Sequence, residues 1–176
     1  MKKYRPMPTQ ESLKALYHYD PETGIFTRAV SRRRWKAGSE CGTLAGGYIS
    51  INVDGTVYRA HRLAWVYMTG LEPKLDIDHI NGIRTDNRWA NLREANPSQN
   101  AINTPKRKNN RCGLKGVSFD SRRGLYRARI QKEHKGHWLG YFSSAAAAHE
   151  AYSAAAMVAF GPFAHQRALA EEPERK

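Results

Sequence analysis

The clearest pattern along the chain lies in residues 48–59, where Ile49, Ile51 and Val53 alternate with polar positions and Thr56-Val57-Tyr58 runs back. A period of two marks a half-buried strand. The intervening Asp54-Gly55 favours a type I′ turn, whose positive φ angles match the twist of paired strands. A β-hairpin is therefore predicted here. Upstream, residues 10–18 read as a short helix capped by Thr9, with Leu13, Leu16 and Tyr17 on one side. Asp20-Pro21-Glu22-Thr23-Gly24 signals a turn and Ile25-Phe26-Thr27 a short strand. Residues 61–69 form a second helix, ended by Gly70 and Pro73.

Beyond residue 75 the pattern changes twice. Leu75-Asp76-Ile77 reads as a strand that Asp78 and His79 end, Asn81-Gly82 as a turn, and Asn91-Leu92-Arg93 as the start of the return strand. Residues 96–103 begin a helix with Pro97 in its first turn. The last third gives three short strands, at 117–119, 125–131 and 137–142, with turns at Ser121–Gly124 and Glu133–Gly136. Ser144 caps an alanine-rich helix over 145–160 that Gly161-Pro162 ends, with Ala148, Tyr152, Ala155 and Ala159 at helical spacing. Those small side chains would let the helix lie close against a sheet. The class is α+β, and four segments follow: a first unit over 1–104, a basic linker over 105–111, a sheet-plus-helix module over 112–165 and a charged tail over 166–176.

Charge narrows the partner. Lys and Arg number 29 against 16 Asp and Glu, a net +13. A charge of that size disfavours compactness unless a polyanion balances it, and nucleic acid does so by exchanging counterions for Lys and Arg. Basic runs such as Ser31 to Lys36, and Lys106, Arg107 and Lys108 in the linker, suit a phosphate backbone. No stretch approaches a spanning helix and no apolar signal core follows the N-terminus, so a membrane partner is not expected and the cytosol is. Cys41 and Cys112 belong to no CxxC pair, which argues against a cysteine zinc site.

Strand, strand, helix, with a histidine on the first strand and a polar donor on the helix, is the layout of a metal site. The chain here resembles the HNH endonucleases of phage and intron origin. The likeness rests on Asp78-His79, on Asn91-Leu92-Arg93 twelve positions after His79, and on Asn100. It extends upstream through Tyr19 to Gly24, the hairpin and His61-Arg62-Leu63-Ala64-Trp65. It implies a ββα-metal nuclease unit cutting double-stranded DNA. His79 is the general base, since an imidazole pKa of about 6.5 suits neutral pH. Asp78 and Asn100 are the metal donors, and Asn91 ties the two strands and fixes His79. Where the motif often ends in histidine this chain has Asn100, and an oxygen-only set favours Mg²⁺ or Mn²⁺ over zinc. An isolated Asp-His pair is usually structural, and Asn81, Asn87 and Asn96 are candidate helpers, although turn formation also accounts for each. His61 reads as a packing residue and is left outside the site.

Residues 115–163 resemble the AP2/ERF DNA-binding domain through Lys115-Gly116-Val117, Tyr126 to Ile130, Trp138 to Phe142 and Ala146 to Tyr152. The likeness implies recognition from the sheet face. Period two puts Arg127 and Arg129 on one face, with Gln131 beyond them and Tyr126, Ala128 and Ile130 toward the helix. Arg122, Arg123 and Trp138 join the candidate DNA contacts, Trp138 standing equally well as a core residue. The arginine-rich first strand of plant members is here Ser118-Phe119-Asp120-Ser121. A monomer with one active site nicks, whereas a double-strand break needs a weak dimer or two sequential events, and the sequence leaves both open. The rival from another class is a non-catalytic DNA-binding regulator with an inactive nuclease remnant. RNA binding would call for aromatic stacking platforms that the sheet face does not supply.

Overall fold

The computed structural model describes residues 6–32, 34–103, 110–132, 135–161 and 163–164. Lys106, Arg107, Lys108 and the 166–176 tail lie outside the described residues. The chain divides into two compact units, 1–94 and 95–176.

In the first unit, α1 (Gln10–Leu16) starts at Thr9, whose hydroxyl accepts from the Ser12 amide at 3.2 Å. It stops two residues short of the predicted end, because Tyr17-His18-Tyr19 becomes β1 and pairs antiparallel with β2 (Phe26–Arg28). Tyr17 and Tyr19 alternate with exposed His18, a strand period that overrides the helical one. The predicted hairpin is present as β5 (Tyr48–Val53) and β6 (Thr56–Arg59), with Asp54 and Gly55 at φ 45° and 84°. Two short strands had no alternating signal: β3 (Glu40–Cys41), which extends the β1–β2 sheet, and β4 (Thr43–Ala45), which extends the hairpin. Helix α2 (Ala60–Thr69) ends at Gly70 in the left-handed region. Strand β7 (Asp76–His79) pairs with β8 (Leu92–Ala95). One apolar cluster holds these elements together, built on Leu13, Phe26, Ile51, Leu63, Ile77 and Leu92 among others. Leu13, Phe26 and Leu63 are fully buried, each worth roughly 1.5–3 kcal/mol of transfer free energy.

The second unit begins earlier than the composition suggests. Helix α3 (Pro97–Asn103) groups with it, for two visible reasons. Ile102 packs against the cluster of Tyr152, Ala156 and Phe160. The Lys115 ammonium also donates to the carbonyls of Ala101 and Ile102, at 3.1 and 2.5 Å, capping the negative end of the helix. At the other end Asn96 and Gln99 exchange reciprocal amide bonds of 2.9 Å, a capping box. The unit then runs as β9 (Val117–Asp120), β10 (Leu125–Lys132) and β11 (Lys135–Phe142), an antiparallel sheet with β10 central, followed by α4 (Ala145–Phe160). The buried stripe of α4 is Ala148, Tyr152, Ala156 and Phe160; Ala155 and Ala159 are only half-buried beside it. Gly116 sits at φ +76°, and a Cβ there would lie 2.0 Å from the Tyr152 ring, so that ring needs a glycine beneath it.

Candidate functional site

Strand β7 delivers Asp78 and His79 side by side, both buried. The Asp78 carboxylate meets Arg93 from β8. Nε and Nη2 of the guanidinium both lie 3.0 Å from Oδ2. Removing one partner of such a buried pair costs about 3–5 kcal/mol, because the other charge stays buried.

His79 points the other way, as alternation along a strand requires. Its Nε2 lies 3.1 Å from Oδ1 of Asn87, a residue only 2% exposed. An amide oxygen only accepts, so this bond places the ring proton on Nε2 and makes Nδ1 the basic nitrogen. Burial holds the His79 pKa below its ordinary value, the Asn87 bond and the nearby Asp78 and Asp86 charges opposing that shift. The imidazole is therefore neutral at neutral pH, which is the state a proton acceptor needs.

The loop that carries Asn87 is tied on every side. Asn91 accepts from the Asn81 amide at 2.9 Å and donates to the Asp86 carbonyl at 2.7 Å, while its own carbonyl accepts from Ile80. These contacts of Asn91 all run along the loop. Asp86 accepts from Arg88 (2.8 and 2.6 Å) and from Asn81 (2.7 Å), which together pull its pKa down to about 2. From the N-terminal side, the Tyr19 hydroxyl donates to the Asn87 carbonyl at 2.7 Å and the Trp89 amide to the Pro21 carbonyl at 2.9 Å. Gly24, at φ +74°, lies flat on this loop: a Cβ would sit 2.4 Å from the Asn87 carbonyl carbon and the Arg88 nitrogen.

His61, read from sequence as packing, lies against His79. The ring centroids are 5.0 Å apart and edge-on, and Tyr48 lies 5.4 Å from His61 and 6.1 Å from His79. Its Nδ1 is buried and makes no hydrogen bond among the described residues. Burial first, then the His79, Arg62 and Arg59 charges, push its pKa down to about 3. Two neighbours of the Asp78-His79 pair, Arg93 and His61, thus had no role in the site from sequence, and Asn87 only that of a candidate helper. Asn87 sits in a turn-forming context that explained it without histidine, and Arg93 was visible only as the third letter of a triplet.

Asn100 lies on α3 in the second unit, half-buried, its backbone N–H donating to the Asn96 backbone carbonyl at 2.9 Å. Among the described residues no group of three or more His, Cys, Asp and Glu side chains is clustered to hold a metal ion. Asp78 in the first unit and Asn100 in the second each carry an oxygen donor, a carboxylate and a side-chain amide.

On the sheet of the second unit, Arg127, Arg129 and Gln131 are exposed while Ala128 and Ile130 are buried. Trp138 is 53% exposed and pairs across from Arg129, so it stands on the outer face and not in the core. Tyr141, opposite Arg127, packs on Trp138 at 4.7 Å and carries the Arg123 guanidinium 4.7 Å from its ring centroid. Arg122 and Arg123 are exposed in the turn that Asp120 organises. A Cβ on Gly136 would overlap the Arg129 guanidinium, so a bare backbone there makes room for that side chain. Among the described residues no helix is long and apolar enough to cross a membrane.

Residues 58–102 match the HNH endonuclease family model, and an HNH endonuclease domain therefore occupies this stretch. Protein 3.8 of Escherichia phage T7 is a homologue, 38% identical over 80 residues that make up 45% of this chain and 66% of that protein. No solved structure gives a significant match.

Proposed function

We propose that the chain is a metal-dependent DNA endonuclease that hydrolyses phosphodiester bonds, with a basic second unit that tethers it to the duplex. The observation that carries this reading is the buried His79, neutral and oriented through Nε2 by Asn87 beside the Asp78 carboxylate. A water oxygen attacks phosphorus, its proton passes to Nδ1 of His79, and the bond from phosphorus to the 3′ oxygen breaks. Asp78 would hold Mg²⁺ or Mn²⁺, an ion that when bound would polarise the scissile phosphate and stabilise the departing oxygen. Arg93 holds the Asp78 carboxylate in place. Asn91 acts through the loop, as a positioning residue.

The second unit supports the tether through charge and shape. Arg122, Arg123, Arg127, Arg129 and Trp138 are all exposed on or beside a three-stranded sheet followed by a helix, which supports reading this unit as an AP2/ERF-like module. Arginine forks of this kind meet phosphates or guanine edges. One observation favours the rival reading, a DNA-binding protein with a silent nuclease remnant: Oδ2 of Asp78 is already taken by two bonds from Arg93.

The two readings part on supercoiled plasmid incubated with Mg²⁺, with EDTA, and with the His79→Ala protein. Metal-dependent nicking that falls by roughly 10²–10⁴ in rate without the imidazole supports the nuclease. Binding without cleavage, on plasmid and on phage and host genomic DNA alike, leaves the regulator.

A further inference from the structure

The first unit carries an arginine beside His79 that the proposed chemistry has not used. Arg84 lies on the exposed loop between β7 and β8, and its guanidinium stands 5.0 Å from the centroid of the Tyr48 ring. The same ring packs against His61 and His79. A cation over an aromatic face is held without being neutralised. Tyr48 itself is fixed: it follows the Gly46-Gly47 turn at φ 59° and 79°, and Arg59 lies 5.0 Å from its centroid while donating to the Ala45 carbonyl and the Ser50 hydroxyl.

The other arginines nearby are occupied. Arg88 is paired with Asp86, Arg93 with Asp78 and Arg62 with Glu72. Arg84 has no carboxylate partner among the described residues, although Asp86 lies two positions along the same loop. A full charge held over the ring that packs against a buried histidine is what an anion needs on arrival.

We infer that Arg84, seated on Tyr48, forms a phosphate-binding subsite next to His79 and holds a non-bridging oxygen of the phosphodiester being cut. The ligand class is a nucleic-acid phosphodiester, since the two-pronged guanidinium matches two phosphate oxygens and a chain of net +13 attracts polyanions. The inference rests on the nuclease reading for the word "cut", and on geometry alone for the phosphate interaction.

Two measurements on the full chain separate these. Affinity for a labelled DNA duplex in EDTA is followed by anisotropy between 50 and 200 mM salt, for the parent, Arg84→Ala and Arg84→Lys. Removing the charge that neutralises one phosphate flattens the slope of log K against log salt by about 0.9. Arg84→Ala is expected to show that change and Arg84→Lys to restore the parent slope. Single-turnover nicking with Mg²⁺ should then fall by about 10²–10³ in Arg84→Ala, the cost of losing one preorganised donor to developing charge. Lys should recover only part of it, lacking the planar fork. An unchanged slope in Arg84→Ala overturns the subsite whether or not the parent nicks. A flattened slope with nicking within threefold of the parent overturns the placement at the phosphate that is cut. A flattened slope in a parent that never nicks supports the subsite and rejects the nuclease.

Discussion

Replacing His61 by phenylalanine should remove a large part of the acid sensitivity of the first unit. In the folded protein burial holds the His61 pKa at about 3, whereas an unfolded chain returns it to the ordinary 6.5. Below pH 6.5 the unfolded state therefore binds a proton that the folded state refuses. The fold loses free energy steadily as pH drops from 6.5 toward 3, and nothing from this group above 6.5. At about 1.4 kcal/mol per pH unit, the loss between pH 7 and pH 5 is about 2 kcal/mol from His61. His79, shifted in the same direction, adds to it. Urea denaturation at the two pH values, followed through the fluorescence of Trp65 and Trp89, whose rings lie 5.3 Å apart in this unit, reads the difference. The packing change from imidazole to phenyl is the same at both pH values and cancels. The parent should lose about 2 kcal/mol more than His61→Phe on acidification. Equal losses in both proteins would refute the claim that His61 is held neutral by burial.

Two further outcomes test the site and the tether. Asn87→Ala should slow single-turnover nicking by roughly 10–100-fold, the usual cost of losing the partner of an oriented histidine, with DNA affinity unchanged. Asn87→Asp should recover the rate and move the acidic limb of the pH profile upward, since a carboxylate on Nε2 favours the imidazolium; a profile that does not move would argue against an orienting bond. Arg127→Ala combined with Arg129→Ala should weaken duplex binding at matched salt while leaving His61-dependent unfolding untouched. Unchanged affinity would remove the sheet face from the interface.

Local periodicity made much of the fold legible. The 48–59 hairpin, the helix ended by Gly70 and the strands of the second unit follow from alternation, turn chemistry and caps that act over a few residues. Elements stabilised only by neighbours were not legible: Glu40-Cys41 and Thr43 to Ala45 have no pattern of their own and exist because β2 and β5 offer open edges. The assignment of α3 had the same cause. Its sequence continues smoothly from β8, but Ile102 and the Lys115 ammonium tie it to a cluster formed from residue 114 onward. At the site, Asp78, His79 and Asn91 stood out by spacing, whereas Asn87 and His61 did not. Their significance lies in distances of 3.1 and 5.0 Å to one imidazole, which no linear spacing encodes. Trp138 could be placed only by register, because its exposure depends on the irregularity beside Gly140.

The close approach of Gly24 to the Asn87–Arg88 backbone bears on how portable the nuclease motif is. The stretch that matches the family starts at residue 58, yet the Tyr19 hydroxyl, the Pro21 carbonyl and the bare face of Gly24 all brace the loop inside it. The structural support of the matched stretch thus extends upstream of it. A graft or truncation bounded by the motif would carry His79 without the surface that aims it. Any side chain at position 24 would collide with the backbone of the loop that carries Asn87, so steric fit restricts that position to glycine.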